Sequence, residues 1–142
     1  MNILNTRPKQ QASTLTNALN ALGHVVEELP VIDIIHTPES PSLQALPALD
    51  TFDLCIVTSA NAVPQLKDLS HSHVVAIGPG TAQTLESIGI DALIPAQFSS
   101  EGLLAMPELA EACIKQKNVV IFSGENPKMQ LTDTLKLRGA HV

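Results

Sequence analysis

Four short segments of this chain carry residue types suited to holding a carboxylate or a phosphate. Thr58-Ser59-Ala60-Asn61-Ala62-Val63 sets hydroxyls and an amide ahead of an apolar residue, where they cap a helix and can also donate to an anion at its start. In Gly78-Pro79-Gly80-Thr81 glycine allows close backbone approach by an anion and Thr81 adds a hydroxyl; a tight structural turn accounts for the same residues equally well. Ser99-Ser100-Glu101-Gly102 aims another set of N–H groups, or is a simple helix cap with Glu101 in the first turn. Gly124-Glu125-Asn126-Pro127-Lys128 is a fourth such loop, whose Lys128 either meets an anionic ligand or is a solvated surface lysine. Singly these segments are ordinary. Together they point to a surface on which helix starts bind anions.

Other chemistries fit less well. Gln83 occupies the place of the third glycine in GxGxxG, and no Lys follows as in a P-loop, so nucleotide binding is a weak reading. His71 and His73 would share a strand face, but no carboxylate or Cys stands at a spacing that completes a metal site. No Ser-His-Asp order or carboxylate pair stands out. The apolar run Leu54 to Val57 ends in Thr58-Ser59 and offers no acceptor Asp of the response-regulator kind. Cys55 and Cys113 lack CxxC spacing and read as reduced filler.

The elements that position these loops repeat one unit, a leucine-spaced helix ending in Gly and followed by a short apolar run. It occurs as Leu15, Leu19, Leu22-Gly23 and Val25 to Leu29, again as Leu85, Ile88-Gly89 and Ala92 to Ile94, and again as Leu131, Leu135, Leu137, Arg138-Gly139 and Ala140-His141-Val142. Glycine after the last turn is the expected left-handed C-cap. The apolar run behind it reads as the next buried strand. Asn2 to Asn5 predicts a strand, Thr6 a cap and Pro8 the first turn of a helix reaching about Leu22. Further strands are predicted at Leu54 to Val57, Val74 to Ile77, around Ala92 to Ile94 and at Val119 to Phe122, each ending in a polar or glycine-rich turn.

Such strand-helix repeats predict an α/β fold with a parallel sheet, in which ligands bind outside the carboxyl ends of the strands. The expected organisation is an incomplete first domain at residues 1–35, a linker at 36–48 rich in Pro and Ser, and a nearly complete flavodoxin-like second domain at 49–142. A third repeat that stops in its strand leads us to expect a fragment. The apolar faces of the first strand-helix-strand piece, with Leu4, Leu15, Leu22, Val25 and Leu29, predict self-association.

Composition narrows the partners. With 44% apolar and 15% charged residues in 142 the chain is expected to fold. Its net charge of -6 argues against general nucleic-acid binding. No Tyr, no Trp and three Phe leave little to stack on a base or a flavin. No apolar stretch is long enough to span a bilayer and the N-terminus lacks the order of a signal peptide, so the cytoplasm is expected.

Taken in order, Thr6-Arg7-Pro8, Gly23 with Val25 to Pro30, Thr58-Ser59-Ala60-Asn61-Ala62-Val63, Ala76-Ile77-Gly78-Pro79-Gly80-Thr81, Ser100-Glu101-Gly102-Leu103-Leu104 and Leu135-Lys136-Leu137-Arg138-Gly139-Ala140 resemble uroporphyrinogen-III synthase along essentially the whole chain. The resemblance implies two flavodoxin-like domains, the first built from both ends of the family's chain. It also implies a lyase of tetrapyrrole biosynthesis that cyclises hydroxymethylbilane, with inversion of the last pyrrole ring and loss of water, without metal or organic cofactor. By this resemblance Ser59, Gly80, Thr81, Ser100 and Gly102 line the cleft, Asn61, Gly78 and Lys128 belong to the same loops, and Arg7 contributes from the first domain. The family commonly places a Tyr beyond the Arg-Gly-Ala segment, and this chain has none. No catalytic residue is therefore implied within it, and little activity is expected of it alone. Lys128 stands where an Arg is frequent, which weakens a bidentate carboxylate grip. The alternative is a non-catalytic module that binds small anions or a protein partner.

Overall fold

The computed structural model describes residues 1–35, 45–66, 73–124 and 129–142. The expected linker falls largely on residues 36–44, and it lies outside the described residues together with His71 and Lys128. The chain divides into two compact units, residues 1–38 and 39–142.

In the first unit β1 (Asn2–Asn5) and β2 (Val25–Glu28) pair in parallel, joined by α1 (Lys9–Ala21). The expected cap at Thr6 does not form. Pro8 itself stands at the cap position with extended backbone, and no side chain caps the helix. The residue before a proline is held extended, which leaves Thr6 outside the helix and out of reach of its first N–H groups. Asn5 takes over as the polar anchor. Buried at the end of β1, it donates from Nδ2 to the Ala12 carbonyl and to Thr16 Oγ1, both at 3.0 Å, and accepts the Arg7 N–H on Oδ1 at 3.2 Å. All of its hydrogen-bonding groups are thus engaged, as a buried amide requires.

The second unit holds β3 (Leu54–Val57), β4 (His73–Ala76) and β5 (Val119–Phe122), all parallel, in the order β4-β3-β5. Its helices are α2 (Pro79–Glu86), α3 (Ser100–Leu104), α4 (Glu111–Ile114) and α5 (Met129–Leu137). Single parallel bridges, Val75 to Leu93 and Asn118 to His141, add a position at each side. The strand expected around Ala92 to Ile94 contracts to this one bridge. Leu93 donates to Val74 and accepts from Ala76, but Pro95 lacks the N–H that a longer ladder would use. Counted with both bridges the order is 3-2-1-4-5, a doubly wound arrangement. It shares its parallel layers with the flavodoxin order 2-1-3-4-5 and differs in where the third strand sits, here at the edge beside the second.

Alternation along the strands builds two cores. Leu54, Ile56, Val75 and Val119 face Leu103, Leu109, Ile114, Leu131 and Leu135 from the α3, α4 and α5 side. Cys55, Val57, Val74, Ala76, Val120 and Phe122 face Ala62 and Val63 of a 3-10 helix (Ala60–Gln65) and Leu85 of α2. β3 is buried at all four positions because both faces are covered.

The repeated glycines close three helices in the same way. Gly23, Gly89 and Gly139 have φ of 81°, 84° and 85°. In each case the glycine N–H and the next N–H bond back to the last turn, as in Gly139 to Lys136 at 2.9 Å and Ala140 to Leu135 at 3.1 Å. This is the Schellman cap, whose left-handed position suits glycine.

Candidate functional site

The chain order of the strands reverses at β3, which puts the crevice of the second unit at the carboxyl ends of β3 and β5. Thr58 joins those two ends, its N–H at 2.9 Å and its hydroxyl at 3.1 Å both donating to the Phe122 carbonyl. Ser59 follows as the cap of the 3-10 helix, and its Oγ accepts the Asn61 N–H at 3.2 Å. The capping reading therefore holds for Ser59, and Asn61 lies half-buried beside it.

At the end of β4 the cap of α2 is Gly78, with no side chain to satisfy the first N–H groups. Pro79 has no N–H, so the leading donors of this helix are those of Gly80 and Thr81. Gly80 is exposed, and a side chain there would meet nothing. Thr81 is 7% exposed, and its hydroxyl makes no hydrogen bond among the described residues. No fully enclosed side-chain polar atom of those residues lacks a partner, so the Thr81 hydroxyl keeps a narrow opening to the surface. It stands in the first turn of a helix that has no side-chain cap.

The third loop forms the helix cap that its sequence allowed: Ser99 caps α3 and accepts the Gly102 N–H at 3.1 Å, with Glu101 in the first turn. Gly102 thus gives its N–H to the cap rather than to a ligand. Its lack of a side chain serves packing: a Cβ would lie 1.8 Å from the Gln97 carbonyl oxygen. Ser100 is half-buried in the first turn, beside Glu101. Phe98, not singled out by its sequence context, lies in the same loop at 59% exposure and packs on Gly78, where a Cβ would stand 3.3 Å from the Phe98 Cβ. The loops after Leu93 and after β4 are thereby in direct contact.

The charges of this unit are segregated. Lys117 pairs with Asp53 at 3.0 Å, and Arg138 donates from Nη1 to the Leu104 and Leu109 carbonyls at 2.8 and 2.6 Å. These cations, with Lys115 just after α4 and Lys136 in the last turn of α5, belong to the amino end of the strands. The N–H of Asn118 and then the Lys117 ammonium hold the Asp53 carboxyl below the usual range. At the carboxyl end the described residues offer no Lys or Arg but hydroxyls and N–H groups, with the Glu101 carboxylate in the first turn of α3. Burial pushes the Cys55 thiol up to about 12, so it remains a neutral core residue, while Cys113 is exposed.

The rim is open. Two cavities of about 470 and 550 Å³ flank the segment around Ile94, one reaching Gly102 and the other Gly80. Neither gathers Ser59, Asn61, Thr81 and Ser100 together. Arg7 belongs to the first unit, where it is exposed and lies 3.4 Å from Gln11 Oε1. Among the described residues no three His, Cys, Asp or Glu side chains gather to hold a metal ion.

Comparison with known proteins matches residues 13–142 to the family model described as Uroporphyrinogen-III synthase HemD. The uroporphyrinogen-III synthase of Salmonella typhimurium is 35% identical over the whole of this chain, which spans 62% of that protein. The Proteus mirabilis uroporphyrinogen-III synthase is 32% identical, and the chain spans 76% of it. A uroporphyrinogen III synthase structure from Thermus thermophilus superposes with a TM-score of 0.59 at 15% identity, over 99% of this chain and 58% of that one.

Proposed function

The chain belongs to the uroporphyrinogen-III synthase family, and from that premise we propose that it binds hydroxymethylbilane and takes part in closing it to uroporphyrinogen III. In this reading the bilane loses its terminal hydroxyl as water, and the substituted carbon of the last pyrrole ring attacks the electrophilic azafulvene so formed. A spiro intermediate then opens and recloses with that ring inverted. The substrate carries the reactivity, so the protein's work is to fold it and hold its acetate and propionate arms. Neutral donors at helix starts suit that work, since they grip carboxylates without themselves titrating. Gly80 and Thr81 are the leading donors, with Ser59, Asn61, Gly78, Ser100 and Gly102 in the surrounding loops, while Arg7 and Lys128 are candidates by the family resemblance alone.

The observation that carries the reading is the family match along residues 13–142. The absence of Tyr from these 142 residues fits a part that holds substrate and turns it over slowly by itself. We further infer a cytoplasmic protein that self-associates through the exposed apolar residues of its first unit. That inference is supported by Leu4, Leu22, Val25 and Leu29 standing more than half exposed. Among the described residues no helix is long and apolar enough to cross a membrane.

The test follows freshly made hydroxymethylbilane with and without the chain, and separates the oxidised ring products into the symmetrical and the inverted isomer. Slower spontaneous closure, with little of the inverted isomer, is expected. An unchanged rate and an unchanged isomer pattern would contradict the binding role, and abundant inverted isomer would contradict the low activity.

A further inference from the structure

We propose that Phe98 is a substrate-binding residue, whose ring offers an apolar face to one pyrrole while the neighbouring Gly80 and Thr81 groups take that pyrrole's carboxylate arm. The proposal rests on the reading of the rim as the tetrapyrrole site and adds to it the surface that meets the rings. The chain has three Phe and no Tyr or Trp. Phe122 is buried in the sheet and Phe52 is half-buried against it, whereas Phe98 is 59% exposed. Its position is nonetheless fixed. The ring lies along the backbone of Gly78, whose missing Cβ would stand 3.3 Å from the Phe98 Cβ and 3.4 Å from its Cγ.

Gly78 is the cap of α2, so the aromatic face and the uncapped donors of that helix are adjacent. Thr81 supplies an independent sign of a ligand here, a polar side chain 7% exposed whose hydroxyl has no partner among the described residues. A flat ring bearing a carboxylate arm has an apolar and an anionic part in close succession. The rim presents an apolar plane and neutral donors in the same succession. An aliphatic carboxylate would use the donors alone.

Amide shifts of Gly80 and Thr81 can be followed while the chain is titrated with porphobilinogen, a monopyrrole with one acetate and one propionate arm, and separately with glutarate. Phe98→Ala is expected to weaken porphobilinogen about fivefold, the scale of an aromatic contact, and to leave glutarate unchanged. Phe98→Tyr is expected to keep the original affinity. Because Phe98 is largely exposed both variants should fold, which their amide spectra report. Equal weakening of both ligands, or of neither, would overturn the assignment of Phe98 while the rim reading stands. If the Gly80 and Thr81 amides of the original chain respond to neither probe, the rim reading falls and the Phe98 assignment with it.

Discussion

The two units contain the same strand-helix-strand motif and hold it together differently. In both, the strands run parallel and the helix ends in a left-handed glycine. Yet the thirteen residues of α1 bury only Ala12, while the nine of α5 bury Leu131 and Leu135. The second unit covers its sheet on both faces, and its strands are apolar at every position but His73. Among the described residues the first unit has one helix and two strands, tied together by the polar Asn5. Caps and periodicity thus specify an element, and a second layer is what turns an apolar stripe into a core.

The largest expected effects separate the units by apolar truncation. Leu135→Ala in the second unit should lower stability by about 2–5 kcal/mol. Leu22→Ala, at a residue 73% exposed, should stay within about 0.5 kcal/mol. Urea unfolding of both variants measures the contrast, and similar losses would break it. The polar anchor comes next. Asn5→Ala leaves the Ala12 carbonyl, Thr16 and the Arg7 N–H without their shared partner, at a cost of about 1–3 kcal/mol. That loss should appear as faster hydrogen exchange in α1 with no change in β3.

The caps should treat the units alike. Gly23→Ala and Gly139→Ala each force a Cβ into a left-handed position, at about 1 kcal/mol, and the faster exchange should be confined to the helix concerned. A surface pair gives the smallest effect, and only the second unit has it among the described residues. Because Asn118 and Lys117 hold the Asp53 pKa below its ordinary 3.8, the stabilisation is full above that value and fades as pH falls through the lower, folded one. Asp53→Asn should remove this part of the acid dependence, measured as unfolding midpoints across pH.

How much of this was legible in the sequence depended on whether one residue alone sufficed. Gly23, Gly89 and Gly139 were readable because a left-handed cap favours glycine by itself, and β3 was readable because an unbroken apolar run needs cover on both faces. The strand at Ala92 to Ile94 was over-read because its apolar residues were counted without the missing donor of Pro95. Gly102 suggested a donor for a ligand, but its N–H goes to Ser99 and its small size to the Gln97 carbonyl. Phe98 was missed because scarcity of aromatic residues argued against a platform. Composition cannot say that one of the three is left on the surface against Gly78.

The account's central claim is that the carboxyl rim of the second unit, by its neutral donors, holds a carboxylated tetrapyrrole. The direct measurement is amide-shift mapping with a bilane that lacks the hydroxymethyl group and so cannot cyclise. The account predicts that the amides of Gly80, Thr81 and Ser100 move together and saturate at one affinity, with those of Lys117 and Asn118 unmoved. Shifts gathered instead at the amino end, around the cavity of about 530 Å³ lined by Asp53, His73, Cys113 and Lys117, would contradict it.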